Sequence, residues 1–495
     1  MTAHLDDPFG LPQAPRRTPI AWLTIAVVLA VLAVVAFWAV RQFTTSCGGL
    51  RSGLSIVDGE CVGVSGTFAF EDEYEDVMRQ IRAANEAIGD DPSFTVAVLG
   101  SFTTDGTSPI LAERQRGQLL GAHVAQQRYN QGRNADSRRM KLVVANWGSH
   151  QLQWEPVVAD LVGRAGDEKS PLVAVTGLGA SLTQTRDAAK TLSAARIPMV
   201  GTITTADELT AIDGFYRVSP PNREYVKALK NYLADRPDLR SAVVVKDVSP
   251  AKNDIFTMNL ADDFAGQFED LIGGRLPIPF SGSQNPGGTS PTEFRAAATT
   301  LCEGKNPPDL VLYAGRSKDL DELVRALADR CRDRRLTIMT GGSDNLISAI
   351  GDLEPALRDA GITLVYASGT DPAGWLEGRD QPQGFASFLR FWKSLGHPDT
   401  ELSSGSVMQG HDAVLVVTDA VAQIVQNGGA ARIDAAQVAF DLMGLHDDQR
   451  VLGATGDLGF GERGAQTGDP VGKQVPVVSV PAAAATPAGP AYRTR

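Results

Sequence analysis

Two loops concentrate groups able to hold a small anion. PLVAVTG runs into LGASLTQT, where Ser181 and Gln184 stand at capping-box spacing, and IPMVG runs into TITTADELT, where Thr205 and Glu208 do the same. A helix N-terminus carries backbone N–H groups without intrahelical partners, and a hydroxyl beside it completes a site that favours a carboxylate. The same residues can equally do no more than cap their helices. Other loops are polar in comparable places: SFTTDGTSP offers Ser101, Thr103 and Asp105, and NWGSHQ offers Asn146, Trp147 and His150. KDVSPAKND offers Asp247, Ser249 and Asp254, YAGRSKD offers Tyr313, Arg316 and Ser317, and TGGSDN offers Ser343 and Asp344. Trp147 can stack on a ligand or pack in a hinge. The acids suit an ammonium and Arg316 a second carboxylate, or each is a helix cap or a solvated charge.

Covalent chemistry has no comparable support. No G-x-S-x-G, H-E-x-x-H or P-loop occurs, and the six histidines form no ligand-spaced pair. The one G-x-G-x-x-G, Gly459 to Gly464, follows no clear strand and leads into QTGDP, so it reads as a hairpin turn. The chain is therefore read as a binding protein and not an enzyme, with no metal or cofactor called for. Its net charge of -12 repels phosphate backbones and disfavours nucleic acid as a partner.

The elements that must position these loops are apolar runs alternating with amphipathic stretches: FTVAVLG, KLVVANW, PLVAVTG, IPMVGTI, SAVVVKD, PDLVLYAG, RLTIMTG and GITLVYAS. Runs without period-2 alternation suit parallel strands covered by helices on both faces, and repeated βα units make doubly wound sheets. FYRVSPPN, with Pro220 and Pro221, interrupts the series. The fold class is α/β, with two doubly wound parallel-sheet lobes facing each other across a cleft lined by strand-to-helix loops.

Ahead of the lobes, Ile20 to Val40 holds 21 residues without a charge, Pro or Gly. As a helix this run spans about 31 Å, the thickness of a bilayer core. Arg16 and Arg17 precede it and Arg41 follows, so the positive-inside bias places the N-terminus in the cytoplasm and the remainder outside. Residues 1–19 read as a disordered cytoplasmic tail, 20–41 as a transmembrane anchor, 42–92 as a membrane-proximal loop and helix, and 481–495 as a disordered tail. A cleaved signal peptide is the alternative to the anchor. Cys47, Cys61, Cys302 and Cys331 fall into two sequence-local pairs that suit disulfides in an oxidising compartment, although other connectivities or reduced buried thiols stay open.

Several separated segments together resemble the type I periplasmic solute-binding proteins, in the branched-chain amino acid branch of ABC-transporter receptors. GLGASLTQTRDAA with IPMVGTITTADELT is similar to the paired ligand loops of that family, and FYRVSPPNREYVKAL to its first interlobe crossing. VVVKDVSPAKNDIFTMNLADDFAGQF is similar to its second-lobe opening, and QGHDAVLVVTDAV to a late helix that usually carries Tyr-Asp where this chain has His411-Asp412. GATGDLGFGERGAQTGDPVGKQVPVVSV is similar to its closing hairpin and final strand.

The resemblance implies a three-crossing hinge, with residues 93–219 and 372–450 in lobe 1 and 220–371 and 451–480 in lobe 2. It implies a carboxylate held by Thr205, the backbone N–H of Ile203 and Ser181 or its neighbour Ala180. The family's second-lobe aromatic falls near Arg316, and its ammonium-binding glutamate near Gly342, with Asp344 close by. Ser101, Trp147 and Asp247 complete the candidate set. The implied role is capture of a small polar ligand, an amino acid or related carboxylate, for an ABC transporter permease. A sensor or interaction protein of the cell envelope is the alternative.

Overall fold

The computed structural model describes residues 26–31, 47–48, 53–132, 138–249, 253–282, 291–331, 334–342, 346–428, 433–446, 448–461, 468–481 and 492–494. The anchor read over residues 20–41 lies mostly outside these. Among the described residues no helix is long and apolar enough to cross a membrane.

Two mixed sheets, each parallel at its centre, form the molecule. The first contains β1 (Ser55–Val57), β2 (Glu60–Ser65), β3 (Ser93–Gly100), β4 (Arg139–Asn146), β5 (Leu172–Gly177), β6 (Met199–Gly201) and β7 (Phe215–Arg217) in the order β1-β2-β4-β3-β5-β6-β7. Strands β3 to β7 run parallel, and the β1–β2 hairpin adds to β4 in the antiparallel sense. The second contains β8 (Ala242–Asp247), β9 (Ile278–Phe280), β10 (Leu310–Ala314), β11 (Leu336–Gly341), β12 (Ile362–Ala367) and, after two short hairpin strands β13 (Val451–Gly453) and β14 (Gly456–Leu458) and β15 (Gln474–Val475), the strand β16 (Val477–Val480). Its order is β16-β12-β11-β10-β8-β9, with β16 alone antiparallel.

Burial explains why the apolar runs carry no alternation. In β3, Val96 and Val98 enter one core while Ala97 and Leu99 enter the core on the opposite face. In β10, Val311 and Tyr313 face one core and Leu310, Leu312 and Ala314 the other. Each fully buried aliphatic side chain contributes about 1.5–3 kcal/mol, so register is fixed and the loops leaving these strands start from rigid points. The chain passes between the sheets after Arg217, after Ala367 and after Leu458.

Three boundaries differ from the sequence reading. Residues 53–65, read as a membrane-proximal loop, form the hairpin that extends the first sheet. The β13–β14 hairpin, read with lobe 2, packs in the first core through Val451, Ala454 and Leu458, because the buried Asp412 carboxylate accepts from the N–H groups of Ala454 and Thr455, both at 2.8 Å. Of the tail 481–495, Tyr492–Arg493 forms a strand, β17, that pairs with β15, and Thr494 accepts a hydrogen bond from Lys473 N–H at 3.0 Å. The G-x-G-x-x-G lies partly outside the described residues. Both sequence-local cysteine pairs are disulfides, with Cα separations of 6.0 Å for Cys47–Cys61 and 5.3 Å for Cys302–Cys331.

Candidate functional site

The ends of β4, β3, β5 and β6 lie side by side, Gly100 opposite Asn146, Leu99 opposite Gly177 and Gly177 opposite Gly201. Neighbouring strands stand about 4.8 Å apart, so the loops that follow share one sheet edge. Trp147 lies against the β5 loop: Gly179 has φ +57°, and a Cβ there would come within 2.8 Å of Trp147 Cζ2. That glycine satisfies a left-handed backbone and a close approach at once.

On this edge the hydroxyls of Ser101, Thr204 and Thr205 and the indole N–H of Trp147 are buried and have no hydrogen-bond partner among the described residues. An unpaired buried polar group costs about 1–3 kcal/mol, so several on adjacent strand ends need a reason. Both capping boxes are corrected. The helix after β5, Thr183–Ala194, starts beyond Ser181, whose hydroxyl accepts instead from Ala206 N–H at 3.2 Å and so ties the β5 loop to the β6 loop. The 3-10 turn Asp207–Ala211 has Ala206 at its N-cap and no side-chain cap, so the Thr205 hydroxyl caps nothing, while its carbonyl accepts from Asn222 N–H at 2.8 Å. Glu208 pairs instead with Arg186 at 3.3 Å. Ile203 packs with Ile110, Ala180 and Leu182 in a small apolar cluster, so the same edge carries both a polar and an apolar surface.

The β6 loop is held by a residue that sequence reasoning passed over. Arg217, fully buried at the end of β7, donates to the carbonyls of Thr204 at 3.0 Å and Ala206 at 2.9 Å and pairs with Asp469 at 2.7 Å. Arg223 also contacts Asp469 and pairs with Asp207 at 2.7 Å. Burial pulls the Arg217 guanidinium below its ordinary value against the opposing pull of Asp469. A charged residue inside the apolar FYRV and an acid in QTGDP were the available signals; nothing in their spacing shows that they meet.

The second lobe treats its polar residues differently. Asp247 accepts from Ser249 N–H at 2.8 Å and Gly282 N–H at 3.0 Å, so this candidate ligand group organises its own loops. Arg316, the candidate for a second carboxylate, makes a two-pronged pair with Asp254 at 2.7 and 2.8 Å and stacks over Phe256 at 4.6 Å from the ring centre. Asp254 also caps the helix Ile255–Gln267 through Thr257 N–H at 3.2 Å. Asp344 lies outside the described residues.

That helix start meets the first lobe directly. Thr183 N–H donates to Asn253 at 2.8 Å, Phe256 N–H to Ser181 at 3.3 Å, and Asp207 N–H to the Asn259 side chain at 2.8 Å. Ile255 is buried in the first-lobe core. Asp263 lies near Asp207 in the same region, and burial together with the Asp207 carboxylate pushes its carboxyl up to about 8. Among the described residues no group of three or more His, Cys, Asp or Glu is placed to hold a metal ion.

No protein-family model and no curated protein sequence matches the chain. Solved structures do match in fold. A leucine-binding protein from Thermotoga maritima is 17% identical with a TM-score of 0.56, over 78% of this chain and 94% of that one. An ABC transporter substrate-binding protein from Desulfitobacterium hafniense, in complex with Leu, is 18% identical with a TM-score of 0.55, over 81% and 99%. A solute-binding protein of an ABC transporter from R. palustris, in complex with benzoate, is 16% identical with a TM-score of 0.54, over 81% and 95%. The resemblance read from separated sequence segments is thus matched by the fold.

Proposed function

We propose, from the fold shared with the type I periplasmic solute-binding proteins, that the chain is an extracytoplasmic receptor that captures a small carboxylate-bearing solute between its lobes. The observation that carries this reading is the set of buried hydroxyls at Ser101 and Thr205 with no partner among the described residues. Their burial is costly unless a ligand uses them, and neighbours of the same fold are described with Leu or benzoate bound. The first lobe receives the carboxylate among Thr205, Ser101 and the Ile203 backbone, with Trp147 and the apolar Ile110, Ala180, Leu182 and Ile203 beside it. The second lobe closes over it and excludes water. Binding needs no covalent step, and an ABC transporter permease is the partner that reads the closed form. Residues 20–41 tether the receptor to the membrane, with the lobes outside.

A sensor or interaction role is the second reading. It is favoured by the direct contacts of Thr183 with Asn253 and Ser181 with Phe256, and by Arg316 being engaged with Asp254. Thermal unfolding against leucine, isoleucine, valine, benzoate, amides, polyamines and sugars tests both. A solute at 100 times its dissociation constant stabilises the native state by about 2.7 kcal/mol. A shift abolished by Thr205→Ala with Ser101→Ala supports the receptor; no shift across the panel with a folded sample supports the interaction role.

A further inference from the structure

The segment between the apolar run and the first βα unit does more than space the lobes from it. Strand β2 pairs with β4, Gly63 opposite Asn146, and the carbonyl of Cys61 accepts from the Asn146 side chain at 2.7 Å. Beside that pairing the Glu60 carboxylate reaches both neighbouring loops. It accepts from Ser149 N–H at 2.8 Å and from the Thr103 hydroxyl at 3.2 Å. Gly148, with φ +84°, lets the β4 loop come this close, since a Cβ there would lie 2.5 Å from Glu60 Oε2. Glu71 grips the β3 loop a second time, accepting from Thr104 N–H at 2.6 Å and from its hydroxyl at 3.1 Å. Hydrogen bonds to an ionised acceptor are about twice as strong as neutral ones. The residues held in this way, Thr103, Thr104 and Ser149, flank Ser101 and Trp147.

We propose that Glu60 and Glu71 are positioning residues for the solute site, and that residues 53–74 are therefore part of that site and not a spacer. The role rests on the receptor reading above. Neither carboxylate touches solute; each fixes where the β3 and β4 loops present Ser101 and Trp147. The Cys47–Cys61 disulfide adds a covalent link from the chain following the apolar run to the same strand. Displacement of that chain is thereby coupled to two of the ligand loops.

Peptide-resolved amide hydrogen exchange on the full chain in detergent micelles tests this without any solute, so failure here and failure of the receptor reading are separate results. Glu60→Ala speeds exchange about tenfold or more in residues 101–108 and 147–153, while β10 stays within about twofold of wild type. Glu60→Gln, which keeps an acceptor oxygen without its charge, restores part of the protection. Glu71→Ala speeds only residues 101–108. Should Glu60→Ala not fold, Glu60→Gln and Thr103→Val carry the test. Unchanged exchange in both loops, or a uniform rise throughout the first lobe, overturns the proposal.

Discussion

The first lobe leaves the hydroxyls of Ser101, Thr204 and Thr205 unpaired at its strand ends, whereas the second closes Asp247 on its own loops and Arg316 on Asp254. The bracing differs as well. First-lobe loops are held by Arg217 and Glu60, which bond to backbone groups, and by Asp469, which pairs with Arg217, while the hydroxyls of Ser101, Thr204 and Thr205 take no part in this bracing. Second-lobe loops are held by the same charged groups that would have to meet a solute. On the proposed receptor reading, the first lobe would be preorganised for a solute, whereas the second would have to break or rearrange an internal pair to contribute charge.

The largest test of this difference is Asp469→Ala. It leaves Arg217 buried without its carboxylate, a change that costs about 3–5 kcal/mol in denaturant unfolding. Arg316→Ala, at a pair whose side chains keep 12% and 13% of their exposure, costs less, about 1.5–3 kcal/mol. Equal losses would remove the contrast between a structural brace and an exchangeable pair. Asp254→Asn sharpens it from the other side. Asn caps a helix as well as Asp does, so the helix Ile255–Gln267 keeps its start while Arg316 loses its counter-charge. Calorimetric affinity for a carboxylate found by thermal shift should then rise by about tenfold; unchanged affinity would place Arg316 outside the site.

The legibility of the two lobes follows the same division. Their strands could be read because each apolar run is buried on both faces, and the loop order could be read because ligand loops follow strands. Ser101, Trp147 and Thr205 emerged from that rule. Asp247 and Arg316 satisfied it equally, yet a sequence does not reveal that Ser249, Gly282 and Asp254 would occupy them. The spacing of Ser181 to Gln184 indicates a cap on its own helix, whereas its hydroxyl reaches the next loop. Arg217 and Asp469 were missed because their meeting depends on the third chain crossing, which brings position 469 back to β7. Glu60 was hidden by a segment whose Gly-rich composition read as loop.

The raised carboxyl of Asp263 predicts a pH dependence for the contact between the lobes. With its carboxyl pushed up to about 8, Asp263 should hold its proton while the lobes touch and lose it when they part and its environment becomes ordinary. The stabilisation is complete below the ordinary carboxyl value, near 4, and is lost progressively as pH rises towards 8. Arg223 and Asp262 also act on this pair, Asp469 pairing with Arg223 behind it, and Arg223 works in the opposite direction by favouring the charged form. Small-angle scattering of the solute-free protein should show a more compact particle at pH 5 than at pH 8, with Asp263→Asn flattening the dependence. A profile that Asp263→Asn leaves unchanged would assign the effect elsewhere.

The smallest expected effect on stability is also the most discriminating for the first lobe. Thr205→Val keeps the shape and β-branching of a buried residue while deleting a hydroxyl that has no partner among the described residues. Removing an unpaired polar group relieves its desolvation, so the variant should unfold within about 0.5 kcal/mol of wild type or be slightly more stable. Solute binding should weaken by about tenfold or more, because the lost hydroxyl is one the ligand uses. Stability and affinity would then move in opposite directions at one residue. A loss of about 1 kcal/mol or more of stability would mean that Thr205 has a structural partner after all, and the case for a preorganised first lobe would narrow to Ser101 and Trp147.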